Sequence, residues 1–311
     1  MDSLAFLGAQ PAIFISLVFV VGLLIGSFLN VVIHRLPLML QRDWRSQCAE
    51  LLGQDTESPT QSPTQTQSQS SAPAATYNLV VPRSACPRCG HVIGAYENIP
   101  VLSYLALGGR CSSCKAPISR RYPLVELFTG VISAVVAWRY GAGWVCVFAL
   151  LVSWSLIALA AIDLDHKLLP DVITLPLLWL GLLVSLGGLS WQGQTAFADV
   201  RSAVIGAAAG YLSLWLMFHL FRLITGKEGM GYGDFKLLGA LGAWLGWQGL
   251  PLTILLSTLV GAVLGLVLIV AGKRDRQTQI PFGPYLAAAG WIALLWGRDI
   301  TQAYLSLSGL S

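Results

Sequence analysis

Two groups of residues in this chain have the types and spacing to do chemistry. The first is four cysteines in two pairs, Cys86-Pro-Arg-Cys89 and Cys111-Ser-Ser-Cys114, with 21 residues between the pairs. A Cys-x-x-Cys turn presents two thiolates to one ion, and Gly90 just after the first pair gives the backbone freedom to close that turn. Two such turns complete a tetrahedral set, so structural zinc is expected on Cys86, Cys89, Cys111 and Cys114. Four thiolates leave no open coordination position, so this metal would hold a small domain together and would not hydrolyse anything. Cys48 and Cys146 fall outside the pattern and read as small buried residues.

The second group is a set of carboxylates at the ends of apolar runs. Asp163 and Asp165 stand in Ala161-Ile-Asp-Leu-Asp-His-Lys-Leu-Leu-Pro-Asp171, and Asp234 stands in Gly231-Tyr-Gly233-Asp-Phe-Lys236. An acidic side chain at the membrane boundary is costly and marks a functional site by default. Two carboxyl groups held together there would share one proton, so that one activates water while the other acts as an acid. The glycines at 229, 231 and 233 leave the backbone before Asp234 open to an extended peptide. The pair is completed by Asp163 or by Asp165, which sequence spacing does not separate. Asp171 after Pro170 reads as a helix cap. Lys236 could tune the neighbouring carboxylate or bind lipid phosphate, and Glu126 reads as a hydrogen-bonded group between helices.

The elements that must position these residues are membrane helices. Hydrophobic residues make up 55% of the 311 and charged ones 11%, against about 25% charged in ordinary soluble domains. Mean hydropathy is +0.67. Lipid must therefore solvate most of the chain. Apolar segments at Ile13–Ile33, Leu124–Trp138, Trp144–Ile162, Val172–Leu189, Ser202–Ile224, Phe235–Leu250, Leu252–Ala271 and Phe282–Trp296 predict an all-α polytopic protein of about eight transmembrane helices. The break between the sixth and seventh is expected at Trp247–Pro251, where a re-entrant hairpin is the other possibility. Met1–Ala12 carries no Lys or Arg, so the first segment is expected to stay as a helix and not to act as a cleaved signal.

With alternating connections, sixteen Lys and Arg fall on one side and Arg139, Arg201 and Arg298 on the other. The positive-inside rule puts the sixteen in the cytoplasm, together with the cysteines and the aspartates. Reduced thiols on that side favour metal over two disulfides. The net charge of +4 gives no reason to expect nucleic acid as a partner. Domain boundaries follow: 1–37 as first helix, 38–76 as a flexible cytoplasmic linker of low complexity at 54–76, 77–122 as the zinc module, and 123–311 as the membrane domain.

Gly231-Tyr-Gly-Asp234, Asp163-x-Asp165-His-x-Leu-Leu-Pro-Asp171, the twin Cys-x-x-Cys units and Gly26-Ser-Phe-Leu-Asn-Val-Val-Ile-His-Arg-Leu-Pro37 together resemble the type IV prepilin peptidases, aspartic proteases of the GxGD type. The resemblance spans the chain except the 54–76 stretch. It implies a bifunctional inner-membrane enzyme that removes the basic leader of type IV prepilins and type II secretion pseudopilins, then N-methylates the new amino terminus with S-adenosylmethionine. It favours Asp163 with Asp234 as the catalytic pair and matches the zinc cysteines. The methyl-transfer half rests on the resemblance alone, because no glycine-rich nucleotide loop follows a strand. It would involve 77–122 and Asn30–Pro37, with Gly109 beside Cys111 as a place where a cofactor backbone contact could form. Two other readings use the same residues: a GxGD intramembrane protease without methyltransferase activity, and a non-enzymatic membrane scaffold or transporter with a zinc docking module.

Overall fold

The computed structural model describes residues 10–52, 77–94, 96–191, 193–226, 230–270 and 281–309. Among them the chain is helical throughout apart from one short hairpin and the cysteine module. The helices are α1 (Pro11–Leu51), α2 (Leu102–Ala106), α3 (Arg121–Tyr140), α4 (Trp144–His166), α5 (Asp171–Leu186), α6 (Val200–Thr225), α7 (Tyr232–Val270) and α8 (Gly283–Leu307); β1 (Ser190–Trp191) and β2 (Gln194–Thr195) pair antiparallel between α5 and α6. Five of these helices, α1, α3, α4, α6 and α7, are long and apolar enough to cross a membrane, and α5 is a shorter apolar helix.

All eight expected apolar segments form helix over most of their described residues, with two departures in how they are joined. α1 does not stop near residue 37. It runs through Pro37 to Leu51, and its 41 residues would measure about 60 Å against about 30 Å of hydrocarbon. The linker expected from residue 38 is therefore helix up to Leu51, while 54–76 lies outside the described residues. A proline inside a helix removes one hydrogen bond but does not have to end it when packing on both sides persists. Here Leu36 and Pro37 are buried.

The sixth and seventh segments form one element, α7, broken at Gly246 (φ 70, ψ 174) and not at Trp247–Pro251. Positive φ is cheap only for glycine, so Pro251 is carried inside the second half. Trp244's carbonyl, released by the break, accepts the Ala198 N–H at 3.1 Å. The two halves run in opposite directions. A β-carbon on Gly290 would touch Leu241, one on Gly297 would meet Leu252, and one on Gly261 would meet the Tyr285 ring at 3.3 Å. Position along α8 therefore rises and then falls as α7 is followed, so α7 starts and finishes at the same end of the bundle.

The centre is built by α4 and the first half of α7. α4 is apolar on every face, and buries Val152, Leu156, Leu159 and Ile162. Phe235, Leu237, Leu238, Leu241 and Trp244 of α7 are fully buried. α6 meets this half of α7 backbone to backbone: a β-carbon on Gly242 would lie 2.1 Å from the Gly206 carbonyl oxygen, and one on Gly210 would lie 2.6 Å from that of Leu238. Small residues are how helices in lipid approach closely enough for dispersion to hold them. The stretch of α1 that carries the Gly26–Pro37 motif forms a second core with α4, through Leu29, Val32, Ile33 and Leu36 against Ala158 and Ile162. That contact sets the cysteine module beside the end of α4.

Candidate active site and metal centre

Asp163 is in the last turn of α4, and Asp234 is the third residue of α7. The two ends converge. Asp163 is 5% exposed and Asp234 6%, and they lie close enough for their charges to act on one another. Oδ2 of Asp163 accepts the Gly283 N–H at 3.0 Å, at the start of α8. Oδ1 of Asp234 is buried and, among the described residues, is the one buried side-chain N or O atom with no hydrogen-bond partner. Leu169, in the α4–α5 connection, packs on the glycine beside each aspartate: β-carbons on Gly233 and Gly283 would lie 2.7 and 3.3 Å from its side chain. Gly231 is less crowded, its nearest neighbour being the Asp234 carboxyl at 3.7 Å.

Asp165, Asp171 and Lys236 are engaged elsewhere. Asp165 makes an ion pair with Arg121 at 2.5 Å and does not join Asp234. Lys236 holds both oxygens of Asp171, at 2.8 and 2.6 Å, so it neither faces the aspartate pair nor leaves Asp171 as a cap. The residue at the α5 N-cap is Pro170, with no side-chain bond. Glu126 accepts the Val101 N–H at 2.8 Å and is bonded by Ser27. It thereby ties α1 and α3 to the start of α2, where Val101 holds φ 59, an unusual value for a β-branched residue.

The four cysteines converge as their spacing requires. Their sulfurs all lie within 4.8 Å of one another, and Cys86 Sγ is 3.8 Å from Cys114 Sγ. Four sulfurs bound about 2.3 Å from a tetrahedral zinc would be about 3.8 Å apart, so the set fits the ion. The two halves repeat one turn. Cys86 N–H bonds the His91 carbonyl and Gly90 N–H that of Cys86; Cys111 N–H bonds the Ala116 carbonyl and Lys115 N–H that of Cys111. Gly90 and Lys115 occupy the same place in the two turns, at φ 71 and φ 57. Backbone N–H groups of Cys89 and Arg88 bring the Cys86 thiol down to about 6. At Cys114 the Ala116 N–H acts the same way, but the other thiols outweigh it and push it up to about 11. A dication relieves that crowding of negative charge.

Two cysteine expectations change. Cys146 is buried as expected, but Cys48 is exposed on the extension of α1. Gly109 does not offer an open backbone face: a β-carbon there would lie 2.8 Å from the Tyr104 ring and hydroxyl. Its glycine (φ 68) serves packing inside the module, and the uncovered neighbour is Gly108.

The module is pinned to the bundle by polar contacts from residues of the Gly26–Pro37 motif. Arg35, buried in α1, donates to the carbonyls of Asn78 and Leu79, and Asn30 donates to that of Tyr122. Glu97 accepts from Gly94 N–H and contacts His91 at 3.1 Å. The Ser112 hydroxyl, that amide and His91 together hold the Glu97 carboxyl down at about 2.

Comparison with known proteins agrees in both halves of the chain. The family described as bacterial peptidase A24 N-terminal domain matches residues 20–140, and the type IV leader peptidase family matches residues 150–266. A protein of Pseudomonas aeruginosa called prepilin leader peptidase/N-methyltransferase is 56% identical over 309 residues, covering 99% of each chain. Proteins of the same name from Stutzerimonas stutzeri and Aeromonas salmonicida are 55% identical over 310 residues and 56% over 296, covering the whole and 95% of each chain. No solved structure matches.

Proposed function

From the premise that the chain belongs to the type IV leader peptidase family, we propose that Asp163 and Asp234 are its peptidase dyad and that the four-cysteine cluster holds structural zinc. The protein is a multi-pass inner-membrane enzyme that cleaves the leader of prepilins and N-methylates the new amino terminus, as its relatives' names state. Type II secretion pseudopilins are included among the substrates on the strength of the sequence resemblance.

One observation supports the dyad: buried carboxyls stand at the end of α4 and the start of α7, on either side of the glycines that pack against Leu169, and Oδ1 of Asp234 has no partner among the described residues. Such an atom is suited to hold a water or a proton that the reaction uses. A water placed between the carboxyls would lose a proton to one while the other protonates the departing amine, and the pair would exchange these roles on release. Gly231 leaves room at the α7 start for the peptide to lie extended beside Asp234, while Gly233 is packed against Leu169. Asp165 and Lys236 act on this site only through their ion pairs, which tie α3 to α4 and α5 to α7.

Zinc, when bound, supplies cross-linking and no chemistry. Cys86, Cys89, Cys111 and Cys114 would hold it, and the module so formed serves methyl transfer. The methyl donor is S-adenosylmethionine, as the N-methyltransferase name implies. The excess of Lys and Arg on the connections that carry the module and the dyad supports placing both in the cytoplasm.

The test is substitution of each aspartate alone. Asp163→Asn and Asp234→Asn keep shape but remove an ionisable group, so cleavage of a prepilin in detergent should fall by about 10³-fold or more. Zinc content and methylation of a pre-cleaved pilin should persist. Retained cleavage in either variant would remove that residue from the dyad.

A further inference from the structure

Asp163 is held from an element that no motif singled out. Gly283 lies 120 positions away in sequence and beyond residues 150–266 that the leader peptidase family matches. It is the first residue of α8, between Phe282 and Pro284, and its N–H has no partner within its own helix, as at every helix start. That N–H reaches Oδ2 of Asp163 at 3.0 Å in a buried contact. The glycine has no room for anything larger: a β-carbon would stand 2.6 Å from the same Oδ2 and 3.1 Å from Cγ of Asp163. The same β-carbon would stand 3.3 Å from Leu169, which also abuts Gly233 immediately before Asp234. Leu169 thus packs on the glycine beside each aspartate, in space that a side chain at either position would need.

We propose that Gly283 is a positioning residue for the peptidase reaction: its backbone N–H fixes one oxygen of Asp163, and its missing β-carbon is what admits the carboxyl to that place. This rests on the assignment of Asp163 to the dyad. The oxygen left to act on water is then Oδ1. Carboxyl placement within about 0.5 Å is what separates an effective site from one that is only present.

Two measurements test it, one of which needs no change at Gly283. Pro281 and Pro284 carry no amide hydrogen, so Phe282 and Gly283 alone report hydrogen exchange at the tip of α8. In Asp163→Ala, exchange of that tip should quicken at least about tenfold relative to the unsubstituted enzyme, with the rest of α8 unchanged. Equal exchange in the two proteins would overturn the proposal. In the second, Gly283→Ala should lower kcat for prepilin cleavage about 100-fold with KM within about twofold, leaving methylation of a pre-cleaved pilin intact. Its Tm loss should shrink in the Asp163→Ala background, where the added methyl meets no carboxyl. A Gly283→Ala protein that fails to fold alone but folds with Asp163→Ala gives the same result; equal losses in both backgrounds, or failure of both to fold, would count against it. Cleavage surviving Asp163→Ala would instead refute the dyad itself. Full activity in Gly283→Ala beside an inactive Asp163→Ala would refute only the role of Gly283.

Discussion

At the scale of single residues, the site ties one oxygen of Asp163 and leaves one oxygen of Asp234 without a partner among the described residues. Asp163 has a backbone donor, whereas Oδ1 of Asp234 is buried with none, a condition that costs about 1–3 kcal/mol in a finished fold. Active sites are where such costs persist. If the pair works as a unit, cleavage should follow a bell-shaped pH profile whose two limbs belong to the dyad together. Rates measured from acid to alkaline pH in a preparation of constant fold should show both limbs, and a flat profile would contradict shared-proton chemistry. Outside the membrane, Glu97 gives a second pH dependence with a definite sign. Its carboxyl is depressed from 4.5 to about 2, so its contribution to the module is complete above about pH 4.5 and is lost as pH falls toward about 2. Exchange of the Gly94 amide, corrected for intrinsic rates, should lose protection across that window. In Glu97→Gln it should be less protected already at neutral pH.

Among the elements, the two cysteine turns are each closed by their own backbone bonds, yet neither is large enough to bury a core. The metal is what would join them. Cys86→Ser with Cys111→Ser should therefore empty the site, measured as zinc by elemental analysis, and loosen 77–122. Methylation should be lost first. Cleavage should fall only as far as the module helps to hold substrate, because α4 and α7 keep their backbone bonds in lipid without the ion. Full zinc occupancy with unchanged methylation would overturn the assignment. The crossing of α6 and α7 makes a comparable demand in the membrane. Gly242→Leu would drive a side chain into the Gly206 carbonyl, so it should displace α7 and lower both Tm and cleavage in detergent, as overpacking does. An unchanged Tm would show that the helices can separate without consequence.

For the whole molecule, the return of α7 on itself at Gly246 brings α8 back to the aspartate end before it crosses. The start of α8 holds Asp163, while Leu294 and Leu295 further along accept from Tyr140 and Arg139 at the end of α3. Arg139 also pairs with Asp299 and lies 4.5 Å over the Trp191 ring, so the hairpin, α3 and α8 close the opposite end together. On the proposed orientation, with the charge-rich connections in the cytoplasm, that closed end would face the periplasm. Alkaline phosphatase fused after Ser308 should then be active in cells. The same reporter placed after Leu51 should be inactive, and the reverse pattern would invert the proposed orientation.

Some of this was settled by residues in sequence order. Sparse charge required lipid, and the x-x spacing within each cysteine pair built its own turn, because both depend on composition or on neighbours a few positions away. Gly-x-Gly-Asp marked Asp234 for the same reason. Spacing did not choose between Asp163 and Asp165, and only the family resemblance favoured Asp163. Two positions on a helix are about 200° apart, so one must face inward and the other outward, but α4 is apolar all round and its pattern names no inward face. In the fold the arrival of α7 and α8 buries Asp163, and Arg121 from the module's border pairs with Asp165. Lys236 was drawn to Asp171 by the same long-range packing. The continuation of α1 to Leu51 and the break at Gly246 also depended on which residues found buried partners, since proline can be carried in a packed helix and a glycine turns only where its released carbonyl is satisfied. Gly283 left no local trace at all: its role is a backbone amide and an absent β-carbon, which become meaningful only when a carboxyl 120 residues away is brought against them.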